Sequence, residues 1–181
     1  SGNNYIGKLL RLRLPKVCVP VTGTDAADLV EKAELLARDN PFLEFRLDYL
    51  SQPATALPKI KRFTEYYPQA LVICTCRREA SGGRFKGSIA SQLEILTKAA
   101  AAGCQLVDLE LQTVVRCKPE QLEKLCSRSA LIISFHDFRA TKDLDETLAK
   151  MSRFPADIYK IVGTATTLHD NVTMMKFLQE Q

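Results

Sequence analysis

Two residues in the second half of the chain are suited to covalent chemistry on a carbonyl group. Lys160 stands within the apolar run DIYKIVG (157–163), and His136 stands in SFHDF (134–138). A desolvated lysine beside other cations disfavours its ammonium form, and the neutral amine can attack a ketone or aldehyde to form a Schiff base. The protonated iminium acidifies the neighbouring carbon, and an imidazole can then remove its proton. We therefore predict Lys160 as the nucleophile and His136 as the base.

Further charged residues recur at alternate positions of three other apolar runs. Successive residues of a strand point to opposite faces, so each run would place its charged groups on one face and its apolar groups on the other. If these runs are neighbouring strands, their charged groups would lie close together at one open end of the sheet, the polar mouth, beside Lys160 and His136. The residues are Glu44, Arg46 and Asp48 in EFRLD, Arg77 in TCR, and Asp108 and Glu110 in VDLEL.

Six short apolar runs alternate with longer segments of helical period along the whole chain. Strands that alternate with helices predict a parallel sheet, either open and doubly wound or closed as a (β/α)₈ barrel. The predicted strands are 17–21, 42–50, 70–77, 105–111, 130–138 and 157–163. The predicted helices are 24–40, 54–66, 88–103, 118–126, 142–151 and 167–181.

The charged faces of the predicted strands favour the barrel. A doubly wound sheet is covered by helices on both faces, where so many charged groups would be hard to satisfy. A barrel accepts them, because its inner face opens at the carboxyl-terminal rim, where the active sites of such barrels lie. The alternative is an α+β protein with one solvated sheet face that carries ion pairs.

Composition narrows the classes of protein and partner. The chain has 181 residues, of which 46% are hydrophobic, so it can build one core but is short for two domains. The net charge of +4 favours the binding of small anionic molecules and is too small to indicate a nucleic-acid-binding protein. No apolar run approaches the length of a membrane span. The six cysteines lack the spacing of a disulfide framework or a zinc site, which predicts reduced thiols and a cytoplasmic location.

Five motifs together indicate a protein family more specifically than composition and periodicity do. In order along the chain they are EFRLDYL, TCRREASGGRF, VDLEL, SFHDF and YKIVGTATTLHD. Their order and approximate spacing resemble those of the type I 3-dehydroquinate dehydratases, the Schiff-base enzymes of the shikimate pathway. The resemblance covers residues 16–181 as one barrel domain and leaves 1–15 as an N-terminal extension, in which Ser1–Asn4 would be a cloning scar.

The resemblance implies a (β/α)₈ barrel, usually dimeric, that converts 3-dehydroquinate to 3-dehydroshikimate by loss of water. No metal or other cofactor is implied, and the expected partners are the small anionic substrate and a second copy of the chain. Lys160 would form the Schiff base. His136 would remove the proton alpha to the imine and later protonate the leaving hydroxyl group.

The same resemblance implies roles for the other charged residues. Glu44, Arg46 and Arg77 would hold the hydroxyl groups of the substrate. The carboxylates Asp108 and Glu110 would lie near the histidine and the lysine and tune their protonation.

The chain departs from the family pattern in two places. The family often has a glutamate just before the Gly-Gly pair, where this chain has Ser81, and Glu79 is close but out of register. The family also has two further strand–helix units after the six seen here. An open sheet of six strands would leave bare edges on its first and sixth strands. We expect a truncated or partly ordered product of a longer gene, with a fragment completed by another chain or a degenerate relative as alternatives.

Two other functions stay open at this point. Another Schiff-base barrel, such as a class I aldolase, would use the same lysine on a different carbonyl substrate. A non-catalytic barrel fragment would instead act in assembly through its sheet edge. The parent of a truncated chain could also be a fusion with shikimate dehydrogenase, an arrangement found in the family.

Overall fold

The computed structural model describes residues 17–137, 144–164 and 171–177, so the predicted extension 1–15 lies outside the described residues. Its strands are β1 (Val19–Val21), β2 (Phe42–Arg46), β3 (Leu71–Thr75), β4 (Leu106–Glu110), β5 (Ala130–Asp137), β6 (Ile158–Thr164) and β7 (Asn171–Phe177). Its helices are α1 (Ala26–Ala37), α2 (Leu57–Tyr66), α3 (Ile89–Ala101), α4 (Leu111–Val114), α5 (Pro119–Cys126) and α6 (Leu144–Met151).

The first six strands pair in parallel and lie side by side in chain order. A doubly wound sheet reverses its strand order at a switch point, and this sheet does not. The strands form a curled half-barrel with helices on its outer face, which confirms the prediction of a partial (β/α)₈ barrel. Within the described residues the barrel is open, because β1 and β7 occupy the two ends of the sheet.

The segment after β6 differs from the prediction. A helix was expected over 167–181, but Asn171–Phe177 forms β7, which pairs antiparallel with β6 from Ile158↔Phe177 to Thr164↔Asn171. The helix prediction is wrong for this strand, and so is the expectation of a bare edge on the sixth strand. Pairing supplies hydrogen-bond partners to backbone groups of β6 that would otherwise lack them, a non-local gain that helical periodicity does not reveal.

The second and third predicted strands end earlier in the structure than in the prediction. β2 ends at Arg46, and Leu47–Tyr49 form a 3₁₀ turn, so the strand alternation predicted for Asp48 is wrong. The side chain of Asp48 instead folds back onto Arg46, two residues earlier. β3 ends at Thr75, and Arg77 follows the strand.

Side-chain caps mark the starts of α1 and α3, and a glycine follows the end of α3. Asp25 accepts a hydrogen bond from the backbone N–H of Asp28 at the start of α1, and Ser88 does the same for Ser91 at the start of α3. After α3, Gly103 has a φ of +100°, which a side chain would oppose. None of the described helices is long and apolar enough to cross a membrane.

The two faces of the sheet have different compositions. The outer face packs against the helices in a large apolar core, with Phe45, Leu109 and Ile133 among its members. The inner face is apolar only at the amino-terminal ends of the strands. Towards their carboxyl-terminal ends it becomes polar, as when Leu106 is followed on the same face by Asp108. The apolar members of the inner face are Phe42, Ile73, Leu106, Ala130, Ile132 and Ile158.

Candidate active site

Six of the seven candidate residues lie between the middle of a strand and the segment just beyond its carboxyl-terminal end, on β2 to β5, and the seventh, Lys160, is the third residue of β6. Parallel strands bring these ends to one edge of the sheet, so residues far apart in sequence become neighbours. Ion pairs, hydrogen bonds and charge interactions connect them into one cluster. The residues are Glu44, Arg46, Arg77, Asp108, Glu110, His136 and Lys160.

Arg77 is the buried cation of this cluster. Its side chain is 2% exposed, and its Nη1 lies 2.7 Å from Asp108 Oδ1 and 3.6 Å from Glu110 Oε2. The same nitrogen donates a hydrogen bond to the hydroxyl oxygen of Ser134. Burial opposes the charge on Arg77, but the carboxylates outweigh burial and raise its pKa. The guanidinium therefore stays charged and orders the acidic groups around it.

Asp108 connects this cation to the candidate nucleophile. Its Oδ1 accepts hydrogen bonds from Arg77 and from the Ser134 hydroxyl, and its Oδ2 lies 3.8 Å from Lys160 Nζ. Burial raises the pKa of Asp108, but the charges of Arg77 and Lys160 and these hydrogen bonds outweigh burial and lower the pKa to about 2. Asp108 is therefore an anion at neutral pH.

Lys160 projects into the cluster from β6. Its side chain is 13% exposed, and its Cα pairs with that of Ser134 on β5. The amine therefore has a carboxylate neighbour and a narrow opening to solvent. This arrangement explains a lysine within an otherwise apolar strand, since only the inner, polar end of the barrel can hold its nitrogen.

His136 lies two residues after Ser134 on β5 and shares its face of the strand. Burial is the main cause that lowers the pKa of His136, to about 3, and the positive charge of Arg77 is the second. The imidazole is therefore neutral at physiological pH. A neutral imidazole has a nitrogen lone pair that can accept a proton, which a base requires.

Glu44 and Arg46 lie on β2 at the other side of the cluster. The hydroxyl group of Thr75 donates a hydrogen bond of 2.7 Å to Glu44 Oε1. Arg46 donates two hydrogen bonds to Asp48, of 3.0 and 2.9 Å. Arg46 is 19% exposed, in contrast to the deeply buried Arg77, so it is the more accessible guanidinium for an anionic or hydroxylated ligand.

Glu110 is held by residues that the sequence analysis did not select. Its Oε1 accepts hydrogen bonds from the backbone N–H of Arg78, from Gln92 Nε2 and from the Thr113 hydroxyl. Gln92 is fully buried on α3, where most of its helical neighbours towards the core are apolar. A lone amide at a core-facing helix position is the signal in the sequence that could have identified Gln92. The three donors leave Glu110 Oε2 facing Arg77.

Glu79 does not contribute its carboxylate to this cluster, and Ser81 occupies the position where the family often has a glutamate. Glu79 is 64% exposed and lies 3.8 Å from Lys86, in an ion pair at the surface. Ser81 is buried, and its hydroxyl group lies 3.4 Å from Gln112 Oε1. The described residues contain no group of three or more His, Cys, Asp and Glu side chains placed to hold a metal ion.

The arrangement combines groups that carbonyl chemistry requires. A primary amine with limited solvent access lies beside a buried anion, and the neighbouring strand carries a neutral imidazole. Such a set can form an imine at the lysine and move a proton at the adjacent carbon.

Comparison with known proteins agrees with the motifs and with this geometry. The family model described as type I 3-dehydroquinase matches residues 17–181. A curated 3-dehydroquinate dehydratase of Dehalococcoides mccartyi is 34% identical over 174 residues, which cover 93% of this chain and 72% of that relative. A second from Coxiella burnetii is 28% identical over 170 residues, with coverage of 92% and 70%.

Solved structures show the same fold. The 3-dehydroquinate dehydratase of Geobacillus kaustophilus has a TM-score of 0.67 and 26% identity, over 80% of this chain and 60% of that one. The type I enzyme of Clostridium difficile has a TM-score of 0.70 and 23% identity, over 84% and 64% of the two chains. This chain thus spans less than two thirds of the length of both solved relatives. Because the family model matches residues 17–181, the chain belongs to the type I 3-dehydroquinase family.

Proposed function

We propose that this chain provides the reactive lysine and histidine of a 3-dehydroquinate dehydratase, a hydro-lyase that works through a Schiff base. The observation that carries the proposal is the environment of Lys160. Its side chain is 13% exposed, and its amine lies 3.8 Å from a carboxylate, in a cluster that also contains a neutral imidazole. The substrate, 3-dehydroquinate, is inferred from the names of the curated relatives.

Imine formation uses the unprotonated amine of Lys160. The nitrogen adds to the ketone carbon of the substrate to give a carbinolamine. The proton that the ammonium first released is taken up again as the carbinolamine hydroxyl group leaves as water, which gives a protonated iminium. The positive charge then resides on the same nitrogen that carried it in the ammonium. The carboxylate of Asp108, ionised and close to that nitrogen, stabilises the iminium electrostatically.

Proton transfer and elimination fall to His136. Its neutral imidazole removes the proton alpha to the iminium, and the electron pair moves into the carbon–nitrogen system to give an enamine. The electron pair then returns and expels the hydroxyl group on the next carbon, which His136 protonates so that it leaves as water. A further water molecule hydrolyses the imine and frees Lys160, so the overall reaction removes one water molecule from the substrate.

Substrate binding belongs to the residues of β2 and the segment after β3. Arg46 presents the more accessible guanidinium, and Glu44 is oriented by Thr75. We propose that both contact hydroxyl groups of the substrate. We propose that Arg77 also contacts a hydroxyl group of the substrate, and its ion pairs hold Asp108 and Glu110 in place. The homodimer and the cytoplasmic location stay predictions.

Borohydride trapping tests the proposal. The chain is reduced in the presence of 3-dehydroquinate, and the mass of the intact protein and of its peptides is measured. We expect one adduct of the ligand on Lys160. Lys160→Ala should abolish that adduct, while Lys98→Ala, at an exposed lysine on α3, should leave it unchanged. An adduct on other lysines, or none in a chain that includes the rest of the barrel, would refute the proposal.

A further inference from the structure

Ser134 places a buried hydroxyl group at the centre of the site. It is fully buried on β5, and its Cα pairs with Lys160 on β6 and with Glu110 on β4. It shares the inner face of its strand with His136. Its position between the nucleophile and the acidic residues makes it suited to control their contact.

Among the described residues, the Ser134 side chain hydrogen-bonds to Asp108 and to Arg77. The hydroxyl group donates to Asp108 Oδ1 at 2.6 Å, and its oxygen accepts a hydrogen bond from Arg77 Nη1. Arg77 itself donates to the same Oδ1 at 2.7 Å. Two donors therefore occupy Oδ1. Among the described residues, Oδ2 accepts no hydrogen bond and lies 3.8 Å from Lys160 Nζ.

The distance between Asp108 and Lys160 matters for the chemistry of the amine. At 3.8 Å the pair is beyond the range of an N–H···O hydrogen bond, which ends near 3.2 Å. A direct charge-assisted hydrogen bond would stabilise the ammonium further and make its proton harder to remove. Imine formation needs the unprotonated amine, so the longer separation favours reaction.

We propose that Ser134 is a positioning residue that occupies Asp108 Oδ1 and so holds the carboxylate at ion-pair distance, not hydrogen-bond distance, from Lys160. The placement itself stands on the contacts above, and its consequence for catalysis rests on the proposed function. Without the hydroxyl group, Asp108 Oδ1 loses the donor that lies on β5, the strand next to β6. The carboxylate can then turn and accept a hydrogen bond from the lysine directly.

Replacement of Ser134 removes none of the other charged and titratable groups around the amine. Cys18, before β1, and His136, on β5, interact electrostatically with Lys160, as Asp108 does. Asp108 in turn forms an ion pair with Arg77, which follows β3, and Arg77 forms a second ion pair with Glu110 at the end of β4. A change in the behaviour of the amine in a Ser134 variant therefore reports on the altered contact with Asp108.

Competitive acylation measures this effect without any substrate. The chain is treated with trace acetic anhydride between about pH 6 and pH 11, and the acetylation of Lys160 is measured by peptide mass relative to exposed Lys98. We expect Ser134→Ala to move the midpoint of the Lys160 profile up by about half to one pH unit, which is about three- to tenfold slower acylation at neutral pH. Above the midpoint the two proteins should react at equal rates.

Matched variants separate positioning from general damage. Ser129→Ala removes another buried hydroxyl group, which bonds to the backbone oxygen of Leu125 before β5, and should leave the profile unchanged. Ser134→Thr keeps the hydroxyl group and should retain the original midpoint. If Ser134→Ala does not fold, Ser134→Cys, a weaker donor, should show the same upward shift.

An unchanged or lowered midpoint in the folded Ser134→Ala or Ser134→Cys variant would overturn the proposal, and so would an equal loss of rate at every pH. The result is independent of trapping by 3-dehydroquinate. Failure of the trapping experiment with a normal acylation shift would reject the proposed function and retain the positioning role.

Discussion

Replacement of Arg77 by leucine is expected to destabilise the fold strongly. The side chain is buried and is the direct ion-pair partner of Asp108 and Glu110, which are each 1% exposed. Removal of one partner from a buried ion pair leaves an uncompensated charge and costs about 3–5 kcal/mol in the free energy of unfolding. Arg77→Lys keeps a cation in the cluster and should cost less.

The pKa of Asp108 gives an independent estimate of the size of this effect. Burial acts to raise it, yet the neighbouring cations and hydrogen bonds lower it from 3.8 to about 2. A difference of this size corresponds to about 2 kcal/mol of stability at neutral pH from this one carboxylate. Glu110 is a second carboxylate that would lose its ion-pair partner, so Arg77→Leu should cost more than the contribution of Asp108 alone.

The same reasoning predicts how the loss depends on pH. In the original chain the folded-state pKa of Asp108 is depressed, so its contribution is present above about pH 4 and is lost as the pH falls towards 2. In Arg77→Leu, burial would oppose the charge of Asp108 with less compensation and raise its pKa. Protonation would then favour the folded state, so the difference between the two proteins should shrink as the pH falls from 7 to 3.5.

Urea unfolding at pH 7, 5 and 3.5 measures this difference. Arg116→Leu is the matched control, because Arg116 is exposed and has no salt bridge among the described residues. We expect the control to change the free energy of unfolding by less than about 0.5 kcal/mol. A loss below about 1 kcal/mol in Arg77→Leu, or a loss that is the same at all three pH values, would refute the buried ion-pair account.

Two further predictions concern the base and the support of Glu110. His136→Ala should slow turnover by about 10²- to 10⁴-fold and still permit the borohydride-trapped adduct, because imine formation precedes proton removal; normal kcat in steady-state assays would exclude His136 as the base. Gln92→Leu should lower the free energy of unfolding by about 1–3 kcal/mol, because it removes the amide donor to Glu110 Oε1 and to the backbone oxygen of Cys76. Exposed Gln69→Leu is its control, and equal stability of both variants in urea would contradict the prediction.

Local patterns in the sequence were enough to predict the fold class and the composition of the polar mouth. Strand–helix alternation predicted parallel strands, and the two-residue period of strands predicted which side chains share a face. In β4, for instance, Leu106, Asp108 and Glu110 share the inner face, and Val107 and Leu109 share the outer one. These features follow from the geometry of each chain segment, so they could be predicted without knowledge of its neighbours.

Only the tertiary structure decided how these side chains are paired and which buried groups support them. The bonds of Arg77 to Asp108, of Ser134 to Asp108 and of Gln92 to Glu110 join residues 18 to 31 positions apart. The antiparallel pairing of β7 and the turn at Asp48 likewise replaced local expectations. Each depends on strand register and on hydrogen bonds between distant segments, which form only when the chain is folded.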